Sequence, residues 1–217
     1  MSPVPAFEVV TRDLVRLARH VGTAMHDATE SLMDADLQRA ETVIDADAAA
    51  DSLMNEIEDQ CLEILATPGL DAHDIRDAVG AMRIAASLER MGDLAEHVAK
   101  QARLRYPLPS VPDELRPTFS ELGDLCQEIV SKTAEVIESR EVELAGDIGR
   151  GDAEVDRLHR ELFRVVLSPT WTHGVEAAID VTLLSRYYER YADHAVSVTR
   201  RVVAMVTGTP YVGIDLG

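Results

Sequence analysis

The sequence is short of aromatic residues, of cysteine and of positive charge, and each shortage narrows what the protein can be. Phe, Trp and Tyr make up 4% of the chain, whereas Ala, Leu, Val, Asp, Glu and Arg are abundant, a profile that favours helix over strand. Only two cysteines occur, Cys61 and Cys126, and neither sits in a CxxC or Cys/His ligand spacing. Both read as small buried apolar residues of a reduced compartment. Against 39 acidic residues stand 21 basic ones, a net charge of −18 that disfavours nucleic acid or an anionic bilayer as partner. Cations and basic protein patches are the natural partners of such a surface.

Other absences concern targeting and chemistry. No apolar run approaches the roughly 18 residues of a membrane span. The first twenty residues, MSPVPAFEVVTRDLVRLARH, lack a basic start, an apolar block and a small-residue cleavage pattern, so no secretory signal is read and a cytoplasmic location is expected. No GxxxxGK[ST], GxGxxG, GxSxG or HExxH motif appears, and no Glu-x-x-His pair of the kind a ferritin-like di-iron centre uses. Nothing nominates a nucleophile or a catalytic base, and the expectation is a protein that is not an enzyme.

What the chain does have is helical periodicity almost throughout, with 46% hydrophobic residues to build a core. It is broken at Asp34 to Asp36, Pro68-Gly69, Pro107 to Pro117, Ser139 to Glu141 and Ser168 to Gly174. These breaks predict six long helices at 6–33, 36–66, 72–105, 113–138, 142–167 and 173–207. Long helices with short turns make up-and-down bundles, and the proline-rich stretch falls midway. The expected fold is all-α, two tandem three-helix bundles at 1–106 and 113–208, followed by a mobile tail at 209–217.

The halves share a signature: LERMGDLA at 88–95 returns as YERYADHA at 188–195, one hundred residues on. Residues four apart lie on one helical face, so Glu89 with Asp93 and Glu189 with Asp193 form paired carboxylates. Upstream lie two further pairs, Asp47 with Asp51 and Asp152 with Asp156. Spacing alone is near chance in so acidic a chain, which also holds Glu30/Asp34, Glu41/Asp45, Glu143/Asp147 and Glu176/Asp180. Height along the hairpins discriminates better. The pairs centred near residues 49 and 91 flank the turn at Gly69 by about 20 and 22 residues, roughly 30 Å on each antiparallel arm at 1.5 Å per residue. The centres at 154 and 191 flank the turn near 171 by about 17 and 20, so in each half four carboxylates meet at one level.

Carboxylates are hard ligands for Mg²⁺, Ca²⁺, Mn²⁺ or iron, and four together are unfavourable without a cation. The competing reading is a solvated acidic face braced by arginines. Arg186, three residues before Glu189, suits that role in the second half, whereas the first half has Ala86 there. Arg90 and Arg190 turn about 100° away from the signature glutamates and are expected to pair with neighbouring helices. His194 is expected to make an interhelical contact, and His97, four residues past Asp93, is a weak candidate ligand.

Taken together, the acid-Arg-x-x-Asp motifs, the upstream aspartate pairs, DIRDAV at 74–79 and DVTLLSRYYERYADHAVSVTRRV at 180–202, closing on Val206 to Gly208, resemble the PhoU family of bacterial phosphate-uptake regulators over nearly the whole chain. The resemblance implies tandem three-helix bundles, surface acidic motifs that bind metal (Fe, Mn, Mg or Zn) and negative regulation of phosphate uptake and of phosphate-starvation signalling. It implies as partners the phosphate ABC transporter ATPase and a membrane sensor histidine kinase. The long apolar helix faces make a homodimer the expected assembly. The implied metal-facing residues are Asp47, Asp51, Glu89 and Asp93 in the first half and Asp152, Asp156, Glu189 and Asp193 in the second, with the choice between Asp45 and Asp47 open. A metal-free helical adaptor and a metal-dependent helical-bundle enzyme are the alternatives.

Overall fold

In the computed structural model, which describes residues 4–209, six α-helices follow one another: α1 Val4–Asp34, α2 Leu37–Leu65, α3 Ala72–Arg105, α4 Arg116–Ser139, α5 Ala145–Val166 and α6 Gly174–Thr207. No strand occurs among the described residues. The all-α expectation and the six periodic segments agree with these helices. The expected starts at 113 and 142 are instead single 3₁₀ turns, Asp113–Leu115 and Val142–Leu144, leading into α4 and α5. Of the expected tail, residues 210–217 lie outside the described residues.

Local chemistry sets the helix ends. Asp36 caps α2 by accepting from the Arg39 N–H at 3.1 Å. At α3, Asp71 accepts from the N–H groups of His73 and Asp74 while the Asp74 carboxylate accepts from the Asp71 N–H, a reciprocal capping box. Each cap contributes about 1 kcal/mol. Gly69 turns the chain between α2 and α3 at φ 86, and Gly208 ends α6 at φ 69 with its N–H on the Ala204 carbonyl.

The three helices of each half pack on one another, and two further seams, α1 on α4 and α3 on α6, join the halves. The buried apolar residues form one continuous cluster from Val10 to Val202, with Cys61 and Cys126 inside it as free thiols. Tyr188 and Tyr191 of α6 are wholly buried and reach α1: the Tyr188 hydroxyl stands 2.8 Å from Thr29 Oγ1, and the Tyr191 hydroxyl donates to the Val21 carbonyl at 3.2 Å. Burying one such ring stabilises by about 2 to 3 kcal/mol, and its hydrogen bond avoids leaving a polar tip unsatisfied. At the α1–α4 seam Gly123 lies so close to Thr29 that a Cβ there would stand 2.6 Å from Thr29 Cγ2. Two charged clamps complete the junction. Arg105 at the end of α3 grips buried Asp180 of α6 through Nε and Nη2 at 2.7 and 3.0 Å, and Arg140 after α4 reaches buried Asp77 of α3 at 3.3 Å.

Candidate carboxylate clusters

The repeated signature is first a packing register. Leu88, Met91, Gly92 and Ala95 of α3 are buried, as are Tyr188, Tyr191, Ala192 and Ala195 of α6, which fixes how each helix turns in its bundle. The acidic members fall at the rim of that face. The side chains of Glu89 and Glu189 are 15% and 12% exposed, low for glutamate, so burial disfavours their charge.

In the first half α2 and α3 bring Asp47, Asp51, Glu89 and Asp93 within electrostatic reach of one another. Burial raises the Asp47 carboxyl above its ordinary range, with Glu96, Asp93 and Asp51 adding repulsion and Lys100 opposing it. Burial likewise raises Glu89, helped by Asp93, Asp51 and Asp47 against Arg90. The Asp47 carboxylate lies against α3 at Gly92, where a Cβ would meet Asp47 Oδ1 in ordinary van der Waals contact at 3.4 Å. Asp45, two residues earlier, is exposed, whereas it is the Asp47 carboxylate that lies against α3.

In the second half α5 and α6 gather Asp152, Asp156, Glu189 and Asp193. Burial, then Asp193 and Asp156, push the Asp152 carboxyl up to about 6, with Arg200 opposing. Glu189 is raised by burial and by Asp193 and Asp156. Its Oε1 takes the Arg186 guanidinium, the brace expected from sequence, while its buried Oε2 has no hydrogen bond.

The expectation for Arg90 is corrected. It does not turn to a neighbouring helix but forks back along α3, bonding Asp93 through Nη1 and standing 3.6 Å from Glu89 through Nε. One helical turn brings residues 90 and 93 together, and a long flexible side chain readily spans the 100° offset. Arg90 thereby supplies the brace that Ala86 cannot. His97 bonds the Asp93 backbone carbonyl through Nδ1 and packs against Tyr187 of α6 in a tilted pair, with ring centroids 5.2 Å apart. Burial, then the charge of Arg190 on its own helix, lowers the pKa of His194.

Three members were not singled out from the sequence. Lys100 and Arg200, the cations opposing Asp47 and Asp152, stand one hundred residues apart and each seven past a signature aspartate, so the repeat carried the signal. Glu96, seven past Glu89, is likewise two turns along the same face and is bonded by Lys100.

The donors suit a hard cation: all are carboxylates, Glu189 Oε2 is buried without a partner, and both clusters repel themselves. Among the described residues, however, no three His, Cys, Asp or Glu side chains converge tightly enough to hold an ion as they stand. At the first cluster Arg90 sits on Asp93, and at the second Arg186 sits on Glu189, so an arriving cation must displace a guanidinium.

Comparison with known proteins gives this arrangement its context. The PhoU domain model matches residues 14–102 and 119–202. The chain is 44% identical over 187 residues to the phosphate-specific transport system accessory protein PhoU homolog 2 of Mycobacterium tuberculosis, covering 86% of this chain and 88% of that protein. It is also 44% identical over 188 residues to PhoU homolog 1 of Mycobacterium leprae, covering 87% and 85%. The crystal structure of PhoU from Pseudomonas aeruginosa superposes with a TM-score of 0.84 at 25% identity, covering 94% of this chain and 98% of that one. That of PhoU from Streptococcus pneumoniae gives 0.83 at 22% identity and shows the shared fold, covering 93% and 95%. With a domain match in each half and relatives this similar along most of its length, the chain belongs to the PhoU family.

Proposed function

We propose that this chain is a cytoplasmic, non-enzymatic accessory protein of phosphate transport, which restrains phosphate uptake and phosphate-starvation signalling by contacts with the phosphate ABC transporter ATPase and a membrane sensor histidine kinase. The mycobacterial relatives, named as accessory proteins of the phosphate-specific transport system, support the transport role. Among the described residues no helix is long and apolar enough to cross a membrane, which suits a protein that reaches the membrane through its partners.

In this reading the two carboxylate clusters take divalent or iron cations. Asp47, Asp51, Glu89 and Asp93 hold one site and Asp152, Asp156, Glu189 and Asp193 the other. The observation that carries it is the second cluster, where Asp152 is pushed up to about 6 and Glu189 Oε2 is buried without a hydrogen bond. A bound cation supplies charge neutralisation between the two helices of each hairpin. Arg90 and Arg186 act as resident counter-charges that swing outward on metal binding and change the charge pattern offered to a partner.

The test is capture of the purified transporter ATPase by the wild-type protein, by Glu189→Ala/Asp193→Ala and by the wild type with EDTA. Loss of capture in both the variant and the chelated sample is expected. Full capture by all three sinks the metal-dependent reading in favour of a metal-free adaptor.

A further inference from the structure

Away from the carboxylate clusters, a cleft of about 590 Å³ opens at the junction of the two halves, between the start of α1, the start of α3 and the end of α4. Its walls carry four arginines, Arg12, Arg16, Arg19 and Arg140, an unusual gathering in a chain with a net charge of −18. Three of them lie on one stripe of α1, at spacings of four and three residues. Their side chains are 64%, 57% and 67% exposed, so the guanidinium heads lie open to the cleft.

These arginines are held rather than quenched. Arg12 and Arg16 share a single carboxylate, that of Asp13, which is 2% exposed and also accepts from Gln60 Nε2 at 3.0 Å. Arg19 spends one Nη on Glu138 and Arg140 one Nη on Asp77. A guanidinium has five N–H donors in a rigid planar fork, so each keeps edges for a second acceptor that offers two oxygens, such as a phosphate. Glu8, Asp74 and Glu138 also line the cleft, so its overall charge is close to balanced and a bare anion gains little from the long-range field. Recognition has to come from short-range forks together with a second contact.

Asp77 supplies that contact. It lines the cleft at 4% exposure, and its Oδ2 is bonded by Arg140. Its Oδ1 is buried with no hydrogen bond, the His73 Nδ1 standing 3.5 Å away. A buried acceptor without a donor is costly unless a ligand hydroxyl or amino group completes it.

We propose that this cleft binds a phosphorylated, hydroxyl-bearing small molecule of nucleotide size, with phosphate on the Arg12, Arg16 and Arg19 forks and a hydroxyl donating to Asp77 Oδ1. Its volume falls in the range of small-molecule sites, roughly 300 to 1,000 Å³. Since α1, α3 and α4 all line it, a ligand there bridges the two halves of the protein.

Isothermal titration with ADP, AMP and orthophosphate as probes tests this on the full chain. ADP is expected to bind with a Kd below about 1 mM and at least about tenfold tighter than orthophosphate. The Arg16→Ala/Arg19→Ala variant, in which Arg12 and Gln60 still hold buried Asp13, is expected to weaken ADP by about tenfold or more while keeping the wild-type helical circular-dichroism spectrum. Asp77→Asn is expected to weaken ADP while leaving orthophosphate unchanged. Absence of ADP binding, equal affinity for orthophosphate, or unaltered affinity in the double arginine variant overturns the proposal.

Discussion

Replacing Asp152 by Asn should make the metal-free protein more stable at neutral pH, the opposite of what removing a useful side chain normally does. The Asp152 carboxyl is raised from 3.8 to about 6 by burial and by the charges of Asp193 and Asp156. At about 1.4 kcal/mol per pH unit that sets a ceiling of about 3 kcal/mol on the cost of ionising it in the native chain. Asp152 is only half buried, so screening by solvent brings the working figure to about 1 kcal/mol. The folded-state value lies above the unfolded one, so the native chain holds this proton more tightly. The associated stability is fully present below about pH 4 and is lost as the pH rises through about 6. Asn cannot ionise and escapes that loss. In EDTA at pH 7.5, Asp152→Asn is therefore expected to melt about 2 to 4 °C above the wild type, with the gap closing by pH 4. Saturating Mn²⁺ should reverse the order, since a ligand at about 100 times its Kd stabilises the wild type by about 2.7 kcal/mol and the variant has lost a donor. A variant less stable than the wild type at pH 7.5 in EDTA, or a gap that persists unchanged at pH 4, would refute the electrostatic reasoning.

The junction between the halves yields two further expectations and the first cluster a third. Arg105→Ala strips the bidentate partner from buried Asp180 and should destabilise by about 3 kcal/mol in urea, whereas a loss under about 0.5 kcal/mol would show the clamp to be ornamental. Gly123→Ala places a methyl 2.6 Å from Thr29 Cγ2 and should cost about 2 kcal/mol by overpacking, read as a lower denaturation midpoint; a gain in stability would mean the seam yields freely. Arg90→Ala removes the guanidinium from Asp93 and Glu89 and should tighten Mn²⁺ at the first cluster, measured by titration in a Glu189→Ala/Asp193→Ala background; weaker binding would show Arg90 to be part of the site rather than its competitor.

Much of this was legible in the sequence because helices announce themselves locally. Pro68-Gly69, Asp71 and Gly208 mark turns and caps by their own backbone chemistry, and each helix boundary fell within a few residues of its signal. Hairpin height also placed Asp47 and Asp51 level with Glu89 and Asp93, and Asp152 and Asp156 level with Glu189 and Asp193, since rise per residue is nearly constant along a helix. What the sequence did not disclose depends on side-chain direction and on helices far apart in the chain. Arg90 was expected to face a neighbour, but a flexible side chain chooses its partner by local charge, and Asp93 lies one turn away. The α1–α4 and α3–α6 seams, and the bonds of Tyr188 and Tyr191 on α6 to Thr29 and Val21 on α1 across 159 and 170 residues, join opposite halves of the chain, which periodicity does not encode. The cleft beside Asp77 escaped for the same reason, since its arginines come from α1 and from beyond α4.

The central claim, that two carboxylate clusters are cation sites, is tested most directly by equilibrium dialysis of chelator-stripped protein against Mn²⁺, followed by elemental analysis. Wild-type protein should retain metal. Glu89→Ala/Asp93→Ala and Glu189→Ala/Asp193→Ala should each lose a separate fraction of it, and the quadruple variant should fall to background. Metal content in the quadruple variant equal to that of the wild type would contradict the assignment of both sites.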